Sequence, residues 1–362
     1  MSAHFHAIRI HSVKKETDQC IAVSLDIPEG LRELFQYTQG QNLTFRTYIN
    51  KEEVRRTYSL CSSPLDREWK VAIKKVEGGL FSSFANEQLR AGDMIEVMPP
   101  SGRFYTPLHP EQQKHYVAIA AGSGITPVLS LVKTTLTTEP KSRFTLVYGN
   151  RTRQSILFFE ELEALKNKYL RRFNLVNVLS RERMETAVHS GRIDTAKLQE
   201  LAPIVRYETG DEFFICGPEE MIFAARDFLL EKGIEAKKIH FELFTIPGQT
   251  QNQKPKTKNF KLATGDTTIS HITIKSDGRY MDFDLLMNSE QSILDGALAQ
   301  GADLPYACKG GVCCTCKARL LEGQVEMDVH WGLEEHEIAE GYILTCQSHP
   351  VTEKVVVDFD VK

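Results

Sequence analysis

Half of the chain's eight cysteines fall in the stretch Cys308-Lys309-Gly310-Gly311-Val312-Cys313-Cys314-Thr315-Cys316. Cys308, Cys313 and Cys316 read C-x4-C-x2-C, and Cys346 follows after 29 intervening residues. Three thiolates on one tight loop and a fourth from a distant segment are what a two-iron, two-sulfide cluster takes as ligands. Gly310 and Gly311 suit such a loop, because a backbone without Cβ takes positive φ and brings its N–H groups close to the sulfurs. A structural zinc site would present paired C-x2-C motifs or partnering histidines, and Cys346, in Thr345-Cys346-Gln347, has no second cysteine beside it. Using Cys314 in place of Cys313 would turn the spacings into x5 and x1, so Cys313 is the expected ligand.

A second set of residues has the chemistry of phosphate and ring binding. Arg56-Thr57-Tyr58-Ser59 lies in an alternating segment, where a strand turns Arg56 and Tyr58 to one face. A cation beside a flat aromatic can pair with a phosphate and pack on a ring. Gly78-Gly79-Leu80-Phe81-Ser82-Ser83 then opens a short helix, whose free N–H groups and serine hydroxyls form an anion site or an ordinary N-cap. Together the two segments read as a flavin diphosphate site.

A third set is spread over the ends of apolar strands. Ala121-Gly122-Ser123-Gly124-Ile125-Thr126-Pro127 turns a strand into a helix; its glycines admit a pyrophosphate, Thr126 adds a hydroxyl, and Pro127 suits a first helical turn. Asn150-Arg151-Thr152 and Ser180-Arg181 end the next two strands, and their arginines suit the 2′-phosphate of NADP. Cys216-Gly217-Pro218 ends the fourth, with Cys216 either a packed small hydrophobe or a neighbour of the nicotinamide. Glu242 sits in the apolar run Ile239 to Phe244, which for an acid invites a functional reading.

The elements that position these groups are visible in the patterning. Short alternating runs at 7–13, 20–27, 43–49, 55–61, 69–76 and 94–98 predict an antiparallel β-barrel over residues 1–110. Strands at 115–121, 143–148, 173–179 and 213–216 alternate with helices at 128–136, 156–169, 194–201 and 219–231, and a closing strand runs over 239–244. That order predicts a doubly wound α/β domain over 111–246, with its ligand at the carboxyl ends of the strands. Residues 247–260 lack apolar periodicity and read as a linker. Strands at 271–275, 280–285, 317–321 and 354–359 and a helix at 293–299 make 261–362 a third, α+β domain.

At 362 residues, with 41% hydrophobic and 25% charged residues, the composition is that of a multidomain globular protein. The net charge of −4 is unevenly spread: residues 260–362 carry 8 Lys and Arg against 17 Asp and Glu. That acidic end argues against nucleic acid as a partner and suits docking on a basic protein surface. The start lacks the apolar core of a signal peptide, no apolar run is long enough to span a bilayer, and clustered cysteines suit a reducing compartment, so a cytoplasmic location without membrane contact is expected.

In the order barrel, nucleotide domain, cysteine domain, these motifs resemble the ferredoxin-NADP reductase family fused to a plant-type ferredoxin, over essentially the whole chain. More narrowly the chain is similar to the reductase subunits of bacterial phenylacetyl-CoA epoxidases, in Ala120 to Pro127, Tyr148 to Thr152, Leu304 to Cys313 and Val355 to Asp360. The resemblance implies FAD, NADPH and a 2Fe-2S cluster, a β-grasp-like ferredoxin domain, and delivery of electrons to the oxygenase component of a multisubunit monooxygenase. It places Arg56 toward the FAD phosphates, Tyr58 beside the isoalloxazine and Ser59 near its reactive nitrogen, with Gly78, Gly79 and Ser82 holding the diphosphate. Gly122, Ser123, Gly124, Thr126, Pro127, Arg151, Ser180, Arg181, Gly217 and Pro218 then serve NADPH. Ser59, Cys216 and Glu242 meet at the flavin and nicotinamide, and Phe244 covers the ring. Cys308, Cys313, Cys316 and Cys346 hold the iron. Cys314 departs from the small non-cysteine residue usual in the family at that position. The rival readings are a reductase for another aromatic or alkane oxygenase and, in a different class, a redox sensor.

Overall fold

The structure, a computed structural model, describes residues 4–244, 268–287 and 290–361. The expected linker at 247–260 lies outside the described residues. Two compact units emerge, the larger from His6–Val54 with Tyr58–Phe244, the smaller mainly from the described residues beyond 267.

The larger unit begins with β1 (His6–Thr17), β2 (Cys20–Asp26), β3 (Asn42–Ile49), β4 (Glu52–Ser59), β5 (Trp69–Lys74), the helix α1 (Leu80–Gln88) and β6 (Met94–Val97). The strands form one six-stranded sheet in the order β4-β3-β6-β1-β2-β5, and a bridge between Leu60 and Val71 ties its outer strands into a barrel. The alternation that predicted these strands is the alternation that fills the barrel: Ile8, Ile10, Val23, Leu43, Phe45, Val71 and Ile73 are all buried in one core. Lys51 and Asn50, both left-handed, make the tight β3–β4 turn.

The same unit continues as β7 (His115–Ala121), α2 (Ile125–Thr138), β8 (Arg143–Asn150), α3 (Phe159–Lys168), β9 (Phe173–Leu179), α4 (Thr195–Val205), β10 (Glu212–Cys216), α5 (Glu219–Glu231) and β11 (Ile239–Glu242). The five strands are parallel in the order β11-β10-β7-β8-β9. The direction of winding reverses between β7 and β10, so a crevice opens at the carboxyl ends of those two strands. The β7 run is buried on both faces, as a central parallel strand must be. The outward faces of β2 and β5 supply Cys20, Ala22 and Ala72 to the core beneath this sheet, so barrel and nucleotide sheet share packing. The helix expected from Ile156 starts at Phe159, because Phe158 takes φ 57° and breaks the turn before it, and the strand expected to reach Phe244 ends at Glu242.

The smaller unit comprises β12 (Ile269–Ser276), β13 (Arg279–Leu286), α6 (Ile293–Ala299), β14 (Lys317–Glu322), β15 (Val325–Met327), α7 (Glu335–Ala339), β16 (Tyr342–Leu344), β17 (Ser348–Pro350) and β18 (Lys354–Asp358). Its five-stranded sheet runs β13-β12-β18-β14-β16, with β12 and β18 parallel and the other pairs antiparallel, while β15 and β17 pair separately. Helix α6 lies on the sheet at Gly296, where any side chain would come within 2.8 Å of the Phe283 ring. This is the arrangement in which a helix covers a mixed sheet and the long loop between α6 and β14 is left to carry chemistry.

Candidate functional site

In the parallel sheet, the reversal between β7 and β10 brings the loops after those strands together. Gly122 is left-handed at φ 54°, and the Gly122–Gly124 turn leads into α2. Gly124 packs so closely that a Cβ there would meet the Cys216 carbonyl oxygen and the Gly217 N at 2.8 Å or less. Gly217 in turn lies against Ala121. Tyr148 Oη donates to the Gly122 carbonyl at 3.0 Å and Thr126 Oγ1 to the Ser123 carbonyl at 3.0 Å, so both hydroxyls shape the turn from within. Ser123 is half-buried, Pro127 is buried in the first turn of α2, and Pro218 is exposed. A helix start behind a glycine turn fits a pyrophosphate.

Arg151, Ser180 and Arg181 are exposed at the next two strand ends, where the N–H of Ser180 donates to the Asn150 carbonyl at 2.9 Å and that of Arg181 to the Arg151 carbonyl at 2.8 Å. The ladder between β8 and β9 thus runs on into the loops and sets the two guanidinium-bearing residues opposite each other. Lys74 joins them: its Nζ reaches toward Gly122, and burial, then Arg151, lowers its pKa. The sequence reading missed Lys74; its place two residues beyond Ala72, which faces the nucleotide domain, was the available signal.

At the barrel, Tyr58 packs on Phe45 and Phe81, with ring centroids 5.9 and 5.6 Å away. Arg56 is exposed on β4 and donates to the Arg55 carbonyl at 2.7 Å. Gly78 is left-handed at φ 71° and Gly79 begins α1. Ser82 is buried, and its hydroxyl closes the preceding turn: it accepts the Val76 N–H at 3.1 Å and donates to the Gly79 carbonyl at 3.3 Å. Half-buried Ser83 is the next hydroxyl along.

Ser59 and Glu242 meet. Ser59 Oγ donates to Glu242 Oε2 at 3.0 Å, joining the end of β4 to the end of β11. Burial pushes the Glu242 carboxyl up to about 7, against the hydrogen bonds from Ser59 and Asn42, which favour its charged form. Cys216 pairs with Glu242 in the β10–β11 register and has no exposed surface; burial, with the Glu242 charge adding to it, keeps its thiol neutral. Phe244 is 41% exposed at the limit of the described segment.

In the smaller unit, all four expected ligand cysteines are gathered by the α6–β14 loop and the turn after β16. They form two contacting pairs, Cys308 with Cys313 and Cys316 with Cys346. Four thiols, three from one loop and one from a distant segment, are the donor set that a two-iron, two-sulfide cluster would take, and the residues present fit that group. The hydrogen bond from Cys313 pulls the Cys308 thiol below its ordinary value, against burial, and the N–H groups of Gly310, Val312 and Cys313 add to the effect. The Gly310 N–H lies 3.3 Å from Cys308 Sγ. Between Cys308 and Cys316 the left-handed positions are Lys309, Gly311 and Cys314, two of them with side chains. The Cys314 thiol donates to the Gly332 carbonyl, tying the loop to the 329–333 segment, where Gly332 N–H also donates to the Gly311 carbonyl at 2.8 Å.

Three family models cover most of the chain: an oxidoreductase FAD-binding domain over residues 7–105, an oxidoreductase NAD-binding domain over 118–227 and a 2Fe-2S iron-sulfur cluster binding domain over 283–351. The chain is 44% identical to one of the subunits of 1,2-phenylacetyl-CoA epoxidase from Escherichia coli (strain K12) over 360 residues, 99% of this chain and 98% of that protein. The chain belongs to the oxygenase-reductase family. This reductase is also 34% identical to the ferredoxin reductase component of 3-ketosteroid-9-alpha-monooxygenase from Rhodococcus rhodochrous, over 97% of this chain and 96% of that one. Its fold is shared with phthalate dioxygenase reductase, at a TM-score of 0.59 and 22% identity over 98% of each chain. FAD-binding, NAD-binding and 2Fe-2S domains are therefore all present in this reductase, a flavin and iron-sulfur oxidoreductase. Among the described residues no helix is long and apolar enough to cross a membrane.

Proposed function

We propose that this reductase takes electrons from NADPH and delivers them, in the cytoplasm, to the oxygenase component of phenylacetyl-CoA epoxidase. The observation that carries this reading is the 44% identity with a component of that enzyme, sustained over 99% of the chain, against 34% with the steroid monooxygenase component. Residues 1–110 serve FAD, 111–246 NADPH and 261–362 the cluster, with 247–260 as the linker. Bound flavin supplies acceptance of a hydride from nicotinamide, and a two-iron cluster supplies release of electrons one at a time.

The chain's own residues hold and orient these groups. Arg56 and the N–H groups at Gly78 and the start of α1 pair with the FAD phosphates, while the Gly79 N–H, bonded to the Val76 carbonyl, and Ser82 keep that turn closed. Tyr58, wedged between Phe45 and Phe81, fixes the plane on which the flavin ring rests, and Phe244 excludes water from its open face. Ser59 and Glu242 place a hydroxyl and a carboxyl where hydride transfer occurs, and Glu242, with its carboxyl near 7, holds or yields a proton at Oε2 around neutral pH. Gly122, Ser123 and Gly124 bring backbone N–H groups to the pyrophosphate, and Thr126 and Pro127 shape that turn. Cys216, Gly217 and Pro218 keep the end of β10 flush so that the nicotinamide can approach. Lys74, Arg151, Ser180 and Arg181 set positive charge and hydroxyl donors around the 2′-phosphate. Cys308, Cys313, Cys316 and Cys346 ligate the iron.

The test combines purified reductase, NADPH, phenylacetyl-CoA and the oxygenase component. NADPH-dependent conversion of phenylacetyl-CoA supports the reading. Intact NADPH–ferricyanide activity without conversion would overturn the partner, and conversion only of a ketosteroid with the steroid oxygenase would move it to the second relative.

A further inference from the structure

Gln347 follows the fourth expected ligand, Cys346, and its side chain turns back to the cysteine loop. The residue is buried, and its amide nitrogen makes two hydrogen bonds: Nε2 donates to the Lys309 carbonyl at 3.0 Å and to the Cys346 carbonyl at 2.9 Å. Both partners are backbone carbonyls, which only accept, so the nitrogen end of the amide is the end that meets them. One carbonyl belongs to the residue after the first loop cysteine, the other to the distant cysteine itself. The amide thus spans the two parts of the chain that have to converge on the iron.

The Lys309 carbonyl is one end of a flat peptide unit whose other end is the Gly310 N–H, and that N–H donates to Cys308 Sγ at 3.3 Å. Whatever holds the carbonyl therefore aims the N–H. The backbone shows why a hold is needed. Lys309 is left-handed at φ 50°, a conformation that costs a residue with a side chain free energy and persists where its surroundings fix it. Its Nζ donates to Asp295 Oδ1 at 2.7 Å, which anchors the side chain but not the peptide plane. Gln347 is itself fixed: its N–H donates to the Leu344 carbonyl at 2.9 Å, and its carbonyl accepts the Asp328 N–H at 2.9 Å. Gly311 leaves room for the glutamine stem, since a Cβ there would stand 3.1 Å from Gln347 Cγ.

We propose that Gln347 is a positioning residue for the iron-sulfur site: by holding the Lys309 carbonyl it aims the Gly310 N–H at the Cys308 sulfur, and so raises the reduction potential of the cluster bound there. This rests on the reading of Cys308 and Cys346 as ligands. An N–H aimed at a ligand sulfur stabilises negative charge on it, and the reduced state, with one electron more, gains more than the oxidised state. A donor on the carbonyl of the same peptide polarises the unit and strengthens its N–H as a donor. Without Nε2 the Lys309 peptide is free to turn, the N–H leaves the sulfur, and the reduced state loses more. The sign is a lower potential.

The experiment is an anaerobic redox titration of the flavin-loaded full chain, followed by the EPR signal of its reduced cluster, with iron counted per chain. Cys308→Ser comes first: full iron and an unchanged spectrum in that variant would show that the ligand reading itself fails. Given that ligand, Gln347→Met, equal in length but without a donor, should keep its iron. It should lower the reduced-to-oxidised ratio at the wild-type midpoint by about threefold or more, a shift of about 30 mV for a one-electron couple. Deuteron couplings at the reduced cluster, after reconstitution in D2O, should weaken in the same variant, a change that a merely structural role would not produce. Gln347→Asn, whose amide falls one carbon short of the two carbonyls, should shift the same way and serves if the methionine variant does not take up iron. An unmoved midpoint in a variant with full iron would overturn the proposal and leave the cysteines in their roles. Loss of iron from both variants would also overturn it, by making Gln347 a residue of the fold alone.

Discussion

Ser59 Oγ donates to Glu242 Oε2 at 3.0 Å across 183 residues of sequence, and this bond brings a barrel strand and the last strand of the nucleotide sheet to one point. Replacing Glu242 by Gln, or Ser59 by Ala, should lower kcat for NADPH–ferricyanide reduction by about 10- to 100-fold, the usual cost of losing one well-placed polar group at a reacting centre. Flavin content should stay at one per chain. A loss of activity explained wholly by lost flavin would reassign both residues to binding.

The same carboxyl gives a pH signature in stability. Its value rises from an ordinary 4.5 to about 7 on folding. Between those values the folded protein holds the proton more tightly than the unfolded chain, so the contribution is complete below pH 4.5 and is lost as the pH climbs through 7. The urea midpoint of wild type measured against Glu242→Gln should fall across that window. Parallel curves would show that the acid titrates normally.

Cys346 follows the three-cysteine loop after 29 intervening residues, yet its thiol contacts Cys316. Cys346→Ser should abolish reduction of cytochrome c or of the oxygenase while NADPH–ferricyanide reduction survives. Iron analysis and visible absorbance of the purified variant report the cluster independently. Full cytochrome c activity in a variant without iron would show that electrons leave elsewhere.

Arg151 and Arg181 stand at adjacent strand ends joined by backbone hydrogen bonds. Each Arg→Ala change should raise KM for NADPH by about 10-fold or more, since a charge-assisted hydrogen bond is worth about 1.5–3 kcal/mol, and should leave KM for NADH nearly unchanged. Equal effects on the two nucleotides would remove the 2′-phosphate assignment.

Gly124 offers a test of the turn itself. A Cβ at that position would run into the Cys216 carbonyl and within 2.8 Å of Gly217 N, both backbone atoms that cannot swing aside. Gly124→Ala should cost about 2–4 kcal/mol in stability, in the range of severe core overpacking, and weaken nucleotide binding. Gly233→Ala, at a left-handed position with open space around it, should cost less, because only its backbone is strained.

The barrel and the nucleotide sheet were legible because alternation and apolar runs are local signals: every expected strand in both exists, displaced by a few residues at its ends. The smaller unit hid more. β15, β16 and β17 are three residues each, too short to show a period, and α7 has five. The cysteine spacing announced its cluster, since thiolates at such intervals have few other uses. Asn42 was invisible for the opposite reason: it begins an ordinary strand, and its partner Ser101 lies far along the chain. Ser82 shows the limit of reading a hydroxyl near a helix start as a ligand donor, because here the hydroxyl is occupied by the turn that precedes the helix. The acidic balance past residue 260 was countable, but no count could tell which of those acids share a face.

Strand β18 comes after every other strand of the smaller unit in sequence, yet it lies in the middle of that unit's sheet, between β12 and β14. A ribosome must therefore release residues 354–358 before the two halves of the sheet have anything to join them. A chain cut short of Lys354 would lack the strand that joins β12 to β14, and with it the closed sheet behind the cysteine loop.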